Sequence, residues 1–387
     1  MMIKNWISRN AFSLGIFLSL LFLQFTNWPP LAFWGWWGGG NFQDSWQVLK
    51  SADCYGSIGL AVYQVNNQCM LYVYGRPLLW ILNFFNLGAS QASLLGIVFL
   101  IILAFTLGYV LKLPKIENKY RIILTIIVLF APPVLLLGDR ANFDTLIVGS
   151  IFLSLSLIRS HKYAYSIIVI FVVTLFKYYT LPLLIFLVFI SKSWRVKLLG
   201  TFLTAASIFS IYRDLSITEF KFKSDNPHLT FGIGHEFLYS AKYNRLSWIS
   251  DHSQLFGTIE IAILVVSCIL LLNRYVQLDS FREANLDVKS LYFMSTIVVL
   301  TCYFSGFNAD YRLIFFVISA FSLITIFQDQ TDFRNLLLAI LILTLWLTFP
   351  SGDLEIIGDF SISIYISMNV AILLMLIRKR LLRTLIK

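Results

Sequence analysis

The chain has 387 residues, of which 58% are hydrophobic and only 13% charged, with a formal net charge of +10 and a mean hydropathy of +0.78. A soluble globular domain is about half apolar and about a quarter charged, so this composition excludes a water-soluble fold, a disordered chain and a disulfide-built secreted fold. The apolar residues form stretches of roughly 15 to 20 that match the ~30 Å hydrocarbon core of a bilayer and do not alternate in polarity. We therefore predict an all-α, polytopic transmembrane protein.

Twelve hydrophobic runs predict twelve membrane spans within a single integral membrane domain over residues 1–387. The spans are predicted at residues 11–27, 89–111, 121–138, 142–158, 163–176, 180–191, 197–212, 256–273, 289–305, 310–327, 334–349 and 361–377. The two runs on either side of Lys177 are short. Residues 163–191 are therefore either a hairpin of two half-helices or one long helix with an intramembrane lysine.

Charge distribution predicts the orientation, because Lys and Arg accumulate on the cytoplasmic side of membrane proteins. With the hairpin and a cytoplasmic N-terminus, 20 of the 30 basic residues but only six of the 20 acidic residues fall inside. The single-helix alternative would move a basic cluster outside. We therefore predict a multi-pass protein of a cell membrane of the bacterial inner-membrane type, with both termini cytoplasmic. The two long loops, at about residues 28–88 and 213–256, then lie on the outer side.

The first outer loop is rich in tryptophan, which favours the membrane–water interface, and we expect interfacial helices in this loop and in the later one. Asp44 lies in the first loop among aromatic residues and glycines. It is a candidate catalytic carboxylate, a solvated acid, or the N-cap of a helix that begins at Ser45. Cys54 and Cys69 lie in the same loop, where an oxidising compartment would permit, without requiring, a bridge.

The sequence GDRANFD, residues 138–144, joins the third and fourth spans on the outer side. Asn142 is a suitable cap for the following helix, and Asp144 would lie in its first turn, where the helix dipole favours an acid. Asp139 and Arg140 are either substrate-binding residues or a simple ion pair. An ionisable residue at the edge of a span, such as Asp144, is a functional candidate because its desolvation is unfavourable.

The sequence FKYYTLP places Lys177 and Tyr178 between two apolar half-spans. An ammonium group at that depth would attract an anion such as a phosphate, or it would extend outward to water. In the later outer loop, His235 lies among aromatic residues in a composition that suits either sugar recognition or an ordinary interfacial loop.

The sequence SGFNADYR opens the tenth span on the outer side and contains Asn308, Asp310 and Arg312. A guanidinium group can donate two parallel hydrogen bonds to two oxygens of one phosphate, so Arg312 is a candidate phosphate ligand. The alternative is that Arg312 forms an ion pair with Asp310 or Asp144. All five clusters open on the predicted outer face. The cytoplasmic connections lack a phosphate-binding glycine-rich motif, which favours a lipid-linked donor that arrives from the outer side.

These motifs carry a family resemblance. The order of these motifs resembles that of the C-fold integral membrane glycosyltransferases. An acid follows soon after the first span, and after it come YVYGRPLLW, GDRANFD, FKYYTLP and NADYR. The arrangement is most similar to glycosyltransferase family 87, the polyprenyl-phosphomannose-dependent α-mannosyltransferases, and the likeness covers most of the chain. The chain departs from the pattern of this family at two motifs. In YVYGRP the family would have a proline closer to the tyrosine, where this chain has Gly75 and Arg76. In FKYYTLP the family commonly has a proline where this chain has Tyr178.

The resemblance implies that Asp44 acts as the base in an inverting single displacement. The donor would be a polyprenyl-phosphate-linked sugar and the acceptor a glycan or glycolipid, with membrane lipids but no nucleic acid as other partners. The scheme needs no cofactor and no metal, and a divalent ion between Asp44 and Asp139 is left open. Substrate-binding residues are then expected among the polar side chains of the five clusters, namely Asp139, Arg140, Asp144, Lys177, Tyr178, His235, Asn308, Asp310 and Arg312.

Two other classes also fit a chain with about twelve spans. A transporter or lipid-linked sugar flippase would show polar residues at mid-membrane and on both faces, often at broken helices in two related halves. A lipid-linked saccharide polymerase or ligase would share the substrate but should have arginine-rich outer loops. The predicted outer face is instead net acidic.

Overall fold

The computed structural model describes residues 2–25, 42–63, 72, 74–115, 117–215, 230–231, 252–273, 279–304, 308–309, 312–347 and 355–378. These residues are helical except for connections and one two-residue pairing, in which Thr230–Phe231 (β1) runs antiparallel to Asn308–Ala309 (β2). The predicted all-α class is therefore confirmed for the described part of the chain.

The helices within these ranges are, in chain order, α1 (Met2–Phe25), α2 (Gln43–Ile58), α3 (Arg76–Phe84), α4 (Ala92–Val110), α5 (Asn118–Leu129), α6 (Pro132–Arg140), α7 (Asp144–Arg159), α8 (Tyr163–Phe176), α9 (Leu181–Ile190), α10 (Trp194–Leu215), α11 (Ser253–Asn273), α12 (Asp279–Glu283), α13 (Leu286–Phe304), α14 (Leu313–Ile326), α15 (Thr331–Leu347) and α16 (Glu355–Arg378). Three short 3-10 turns lie at Gly59–Tyr63, Ala89–Gln91 and Tyr178–Thr180. The chain packs as two compact units, the first formed by Met1–Tyr109 and Leu135–Lys221 and the second by Val110–Val134 and Phe222–Lys387.

Several helices have the length and composition of membrane spans. Four of them qualify singly, at Ala89–Val110, Ser253–Leu270, Leu286–Phe304 and Ile356–Arg378, and the bent pair Tyr120–Leu129 with Pro132–Arg140 would make five. Each of the twelve predicted spans overlaps described helices, and the span predicted at 121–138 falls on the two helices of the bent pair. Most of these helices are too short or too polar to qualify alone. The described residues thus establish four or five helices of crossing length, and the count of twelve stays a prediction.

Residues 163–190 form a hairpin rather than one continuous helix. Helix α8 ends at Phe176, Lys177 has an extended backbone, and α9 begins at Leu181 with a proline in its first turn. A Cβ on Gly200 of α10 would lie 2.4 Å from Val188 Cγ2 and 3.3 Å from Ile167 Cδ1. Those two residues would be about 30 Å apart along a single helix. The start of α8 therefore lies beside the end of α9, and Lys177 is at the tip.

In the second unit, α14 is buried on all sides, as expected for a helix that is apolar around its whole circumference. Hydroxyl and amide groups link it to its neighbours. Ser319 Oγ lies 2.5 Å from Thr296 Oγ1 of α13 and accepts a hydrogen bond from the Tyr365 hydroxyl of α16 at 2.7 Å. Helices that pack in an apolar environment commonly use such interhelical hydrogen bonds, since water is not available to satisfy polar groups.

Candidate functional site

The candidate site begins where α2 starts. Helix α2 begins at Gln43, so Asp44 lies in its first turn, and the cap position is occupied by Phe42 without any side-chain cap. The interpretation of Asp44 as the N-cap of a helix from Ser45 is therefore wrong. The Phe42 amide instead donates to the Asp139 carbonyl oxygen at 2.8 Å, which brings the start of α2 against the end of α6.

Two residues beside Asp44 have unusual backbone angles. Phe42 has φ of 65° and Ala141 has φ of 45°, in the left-handed region that side chains other than glycine rarely adopt. Ser45 Oγ donates to the Ala141 carbonyl oxygen, so the two segments hold each other in place. Because such strain persists only where surrounding contacts enforce it, and often at functional sites, it supports a functional reading of this junction.

Both oxygens of the Asp44 carboxylate accept hydrogen bonds from the GDRANFD segment. Arg140 Nη1 lies 3.2 Å from Oδ1, and Asn142 Nδ2 lies 2.6 Å from Oδ2. The Asp44 side chain is 13% exposed, so it is buried only in part. Arg140 thus pairs with Asp44, in place of the simple pair with Asp139 that the sequence allowed. The contacts fix the direction of the carboxylate.

Asn142 connects Asp44 to a buried ion pair. The cap position of α7 is occupied by Phe143, so the prediction of Asn142 as its cap is wrong by one residue. Asn142 Oδ1 nevertheless accepts the backbone amide of Asp144 at 2.9 Å and lies 3.4 Å from Lys177 Nζ. The sequence did not indicate that the other end of this amide would hold Asp44. One asparagine side chain therefore joins the carboxylate of α2, the start of α7 and the tip of the α8–α9 hairpin.

Lys177 is buried at the hairpin tip rather than extended to water. Its Nζ lies 2.9 Å from Asp144 Oδ1, with side-chain exposures of 8% for Lys177 and 0% for Asp144. The same Nζ lies 4.0 Å from the centroid of the Tyr74 ring, within the range of a cation–π contact. The interpretation of Lys177 as a snorkelling lysine is therefore wrong. Asp144 lies in the first turn of α7, as predicted.

Tyr74 and Gly75 were not singled out as site residues from the sequence, and the hairpin explains both. The Gly75 amide donates to the Phe176 carbonyl oxygen at 3.0 Å, satisfying an acceptor left free where α8 ends. A Cβ on Gly75 would lie 1.8 Å from the Leu175 carbonyl oxygen, so no larger residue fits this close approach. The glycine at this place in YVYGRP therefore brings Tyr74 against Lys177.

Tyr178 belongs to a second polar cluster beside the first. Its hydroxyl donates to Asp214 Oδ2 at the end of α10. Asp214 also accepts the Arg76 backbone amide at 2.9 Å and lies 3.4 Å from Arg76 Nε. The Arg76 Nη2 atom is buried and has no hydrogen-bond partner among the described residues.

The tyrosines around this second cluster stay protonated. Burial, reinforced by the negative charge of Asp214, raises the pKa of the Tyr63 hydroxyl above its ordinary value. Burial also raises the pKa of the Tyr72 hydroxyl well above the ordinary value. Both groups therefore act as neutral hydrogen-bonding groups, as seen where Tyr72 donates to the Gly75 carbonyl oxygen at 3.2 Å.

Asp139 lies next to the Asp44 cluster but binds other partners. Its Oδ1 accepts the Gln24 side-chain amide of α1 at 3.0 Å, and its carbonyl oxygen accepts the Phe42 amide. These contacts fix the entry to α2. No group of three or more His, Cys, Asp or Glu side chains within the described residues is arranged to hold a metal ion.

The other predicted site residues belong to the part of the chain that forms the second unit. Arg312 is the N-cap of α14 and is half-buried. Asn308 lies in β2, and its side chain is outside what the structure describes, as are His235 and Asp310. The structure thus brings together the first three sequence clusters. The predicted convergence of the other two with them stays a prediction.

The cysteines divide into one bonded and two free residues within the described ranges. Cys54 of α2 is disulfide-bonded, and Cys69, the partner that the sequence allowed, lies outside those ranges. Cys268 of α11 is half-buried and Cys302 of α13 is buried, both as free thiols.

Comparison of the chain with protein-family models, with characterised proteins and with solved structures finds no match. The fold and the site therefore define only a class. The chain is a helical protein with several helices of membrane-crossing length and a buried cluster of charged side chains at one helix junction.

Proposed function

We propose that this chain is a multi-pass membrane glycosyltransferase that moves a hexosyl group from a polyprenyl-phosphate-linked sugar to a glycan or glycolipid acceptor. One observation carries the proposal. The partly exposed Asp44 carboxylate is oriented by Asn142 and Arg140 and lies one side chain away from the Lys177–Asp144 pair. A base and two cations within one connected cluster suit a displacement that produces a proton and a phosphate anion.

The proposed step is a single displacement at the anomeric carbon. The acceptor hydroxyl oxygen forms a bond to this carbon while the bond to the donor phosphate oxygen breaks, which inverts the configuration. The acceptor proton passes to Asp44, and the lipid phosphate leaves as an anion. General-base assistance of this kind contributes roughly 10²- to 10⁴-fold in rate.

Charge pairing in the cluster determines which groups bind the phosphate. Arg140 and Lys177 each face a carboxylate, so an incoming phosphate would compete with Asp44 and Asp144 for them. Arg76 also faces a carboxylate, that of Asp214, but its buried Nη2 has no hydrogen-bond partner among the described residues. We therefore add Arg76 to the predicted phosphate ligands. His235, Asn308, Asp310 and Arg312 remain proposed substrate-binding residues on sequence grounds alone.

The proposal places twelve spans in the membrane, both termini in the cytoplasm and Asp44 on the outer side. The disulfide at Cys54 supports an outer location for α2, because disulfides persist in oxidising compartments. The charge distribution of the sequence supports the same orientation.

Single-cysteine labelling tests the orientation. Ser57 of α2 and His161, between α7 and α8, are both exposed and lie on opposite sides in the proposed topology. With Cys268 and Cys302 replaced by alanine, we expect a membrane-impermeant maleimide to label Ser57→Cys in spheroplasts, and His161→Cys only after permeabilisation. Labelling of both, or of His161→Cys alone, in sealed spheroplasts would contradict the topology.

Mass spectrometry of envelope glycans and lipid-linked saccharides tests the reaction. In cells that lack the chain, we expect a glycan short of one hexose and accumulated polyprenyl-phosphate sugar, both reversed by the wild-type gene. A complete lipid-linked saccharide retained in the cytoplasmic leaflet would instead show a flippase. Accumulated single repeat units would show a polymerase or ligase.

A further inference from the structure

Helix α3 in the first unit carries apolar side chains on two opposite faces. One face packs towards α2 and α8, and its buried residues are Leu78, Leu79 and Leu82. The other face is exposed and consists of Trp80, Ile81 and Phe84. A surface helix of a soluble protein is polar on the face that it turns away from the core. Helix α3 therefore lacks the face that contact with water requires.

The polar groups of α3 are directed at the protein. Trp80 is 48% exposed, yet its indole Nε1 donates a hydrogen bond to the Tyr55 hydroxyl of α2 at 3.1 Å. Asn83 Oδ1 lies 3.9 Å from the position that a Cβ on Gly56 of α2 would take. Arg76, at the start of the helix, is buried. Because its N–H is already satisfied, the exposed indole ring can lie in hydrocarbon without an unpaired polar atom.

The length of α3 excludes a membrane crossing. Its 9 residues extend for about 13 Å, less than half of the ~30 Å hydrocarbon core. The connection to α4 continues the apolar surface through the exposed Phe85 and Leu87, and α4 itself exposes Leu94 and Val98. Since α4 has membrane-crossing length, its exposed apolar side chains indicate that lipid covers this surface.

We propose that α3 is immersed in one leaflet of the bilayer without crossing it, and that Trp80, Ile81 and Phe84 contact the acyl chains of phospholipids. This leaflet is the one that α4 enters at its first residues. It is the outer leaflet in the proposed topology, but the immersion depends neither on that orientation nor on the proposed transfer reaction.

Immersion of α3 has a consequence for the neighbouring polar clusters. Gly75, which directly precedes the helix, donates its amide to the Phe176 carbonyl oxygen at the end of α8. The lipid contact of α3 therefore also holds the tip of the α8–α9 hairpin at the level of this leaflet. Arg76 is held there as well, because it is the first residue of the immersed helix.

Electron paramagnetic resonance of a spin label at Phe84→Cys tests the proposal, since Phe84 is 78% exposed. The full-length protein, with Cys268 and Cys302 replaced by alanine, is reconstituted into phosphatidylcholine vesicles. Molecular oxygen is apolar and concentrates in hydrocarbon, whereas a polar nickel chelate stays in water. Power saturation should show that the label collides several-fold more often with oxygen than with the chelate.

Two reference positions calibrate this measurement. Val98→Cys on the exposed side of α4 is the lipid reference, and Ser57→Cys on α2 is the water reference. The label at Phe84 should match the label at Val98. A match with Ser57 would show that α3 faces water, and few collisions with either reagent would show that protein covers it. Either result would overturn the proposal.

Ile81→Cys provides a second reading on the same face and keeps the test decisive if Phe84→Cys does not fold. Thermal unfolding of each labelled variant shows whether it folds as the wild type does. The label at Ile81 should also favour oxygen over the chelate. A preference for the chelate at this position would overturn the immersion of α3.

Discussion

Replacement of Asp44 by asparagine is expected to abolish sugar transfer while the protein continues to fold. The asparagine amide keeps the shape of the side chain and one oxygen acceptor for Asn142 or Arg140, but it cannot take a proton from the acceptor hydroxyl. Loss of a general base reduces the rate by roughly 10²- to 10⁴-fold. Mass spectrometry of the envelope glycans should therefore show the product short of one hexose, as in cells that lack the chain.

Asp53→Asn is the matched control for this variant because it lies on the same helix. Asp53 Oδ2 accepts the Ala89 amide at 3.0 Å, a contact with the 3-10 turn that precedes α4 and not with the Asp44 cluster. An asparagine oxygen can retain this hydrogen bond, so we expect full transfer. A normal product from cells that carry Asp44→Asn would remove Asp44 as the base.

The hydrophobic pattern of the sequence predicted the helices well, because uninterrupted apolar runs leave the backbone few alternatives in a membrane. It also narrowed residues 163–191 to two arrangements by placing Lys177 between two short runs. The hairpin depends on contacts such as the Gly75 amide with the Phe176 carbonyl oxygen. These contacts join segments about 100 residues apart in sequence, which no local pattern encodes.

The sequence predicted only part of the candidate site, because contacts between distant segments also determine the site. Asp44, Arg140, Asp144 and Lys177 stood out because charged residues are rare in apolar surroundings. Asn142 and Tyr74 did not, since an asparagine before a helix already has a capping role and a tyrosine in a membrane protein is ordinary. Their function depends on which charged neighbours the fold brings to them, and that information is three-dimensional.

Lys177→Met is expected to lower the free energy of unfolding by about 3 to 5 kcal/mol, because it removes the cation that lies 2.9 Å from the fully buried Asp144 carboxylate. Reversible unfolding in mixed micelles would measure the change. Lys162→Met is the matched control, since Lys162 is exposed in the turn before α8. Substitutions of exposed residues usually change stability by about 0.5 kcal/mol or less. A loss no larger than that of the control would contradict the burial of the ion pair.

The double variant Asp144→Asn with Lys177→Met separates the structural role of the pair from its role in transfer. The double variant removes both charges of this ion pair together, so neither is left without the other. Most of the lost stability should therefore return. Transfer should remain low, because Lys177 no longer offers a positive charge to the departing phosphate. If stability and transfer recovered together, Lys177 would serve only to neutralise Asp144, and phosphate binding would fall to Arg76 and Arg140.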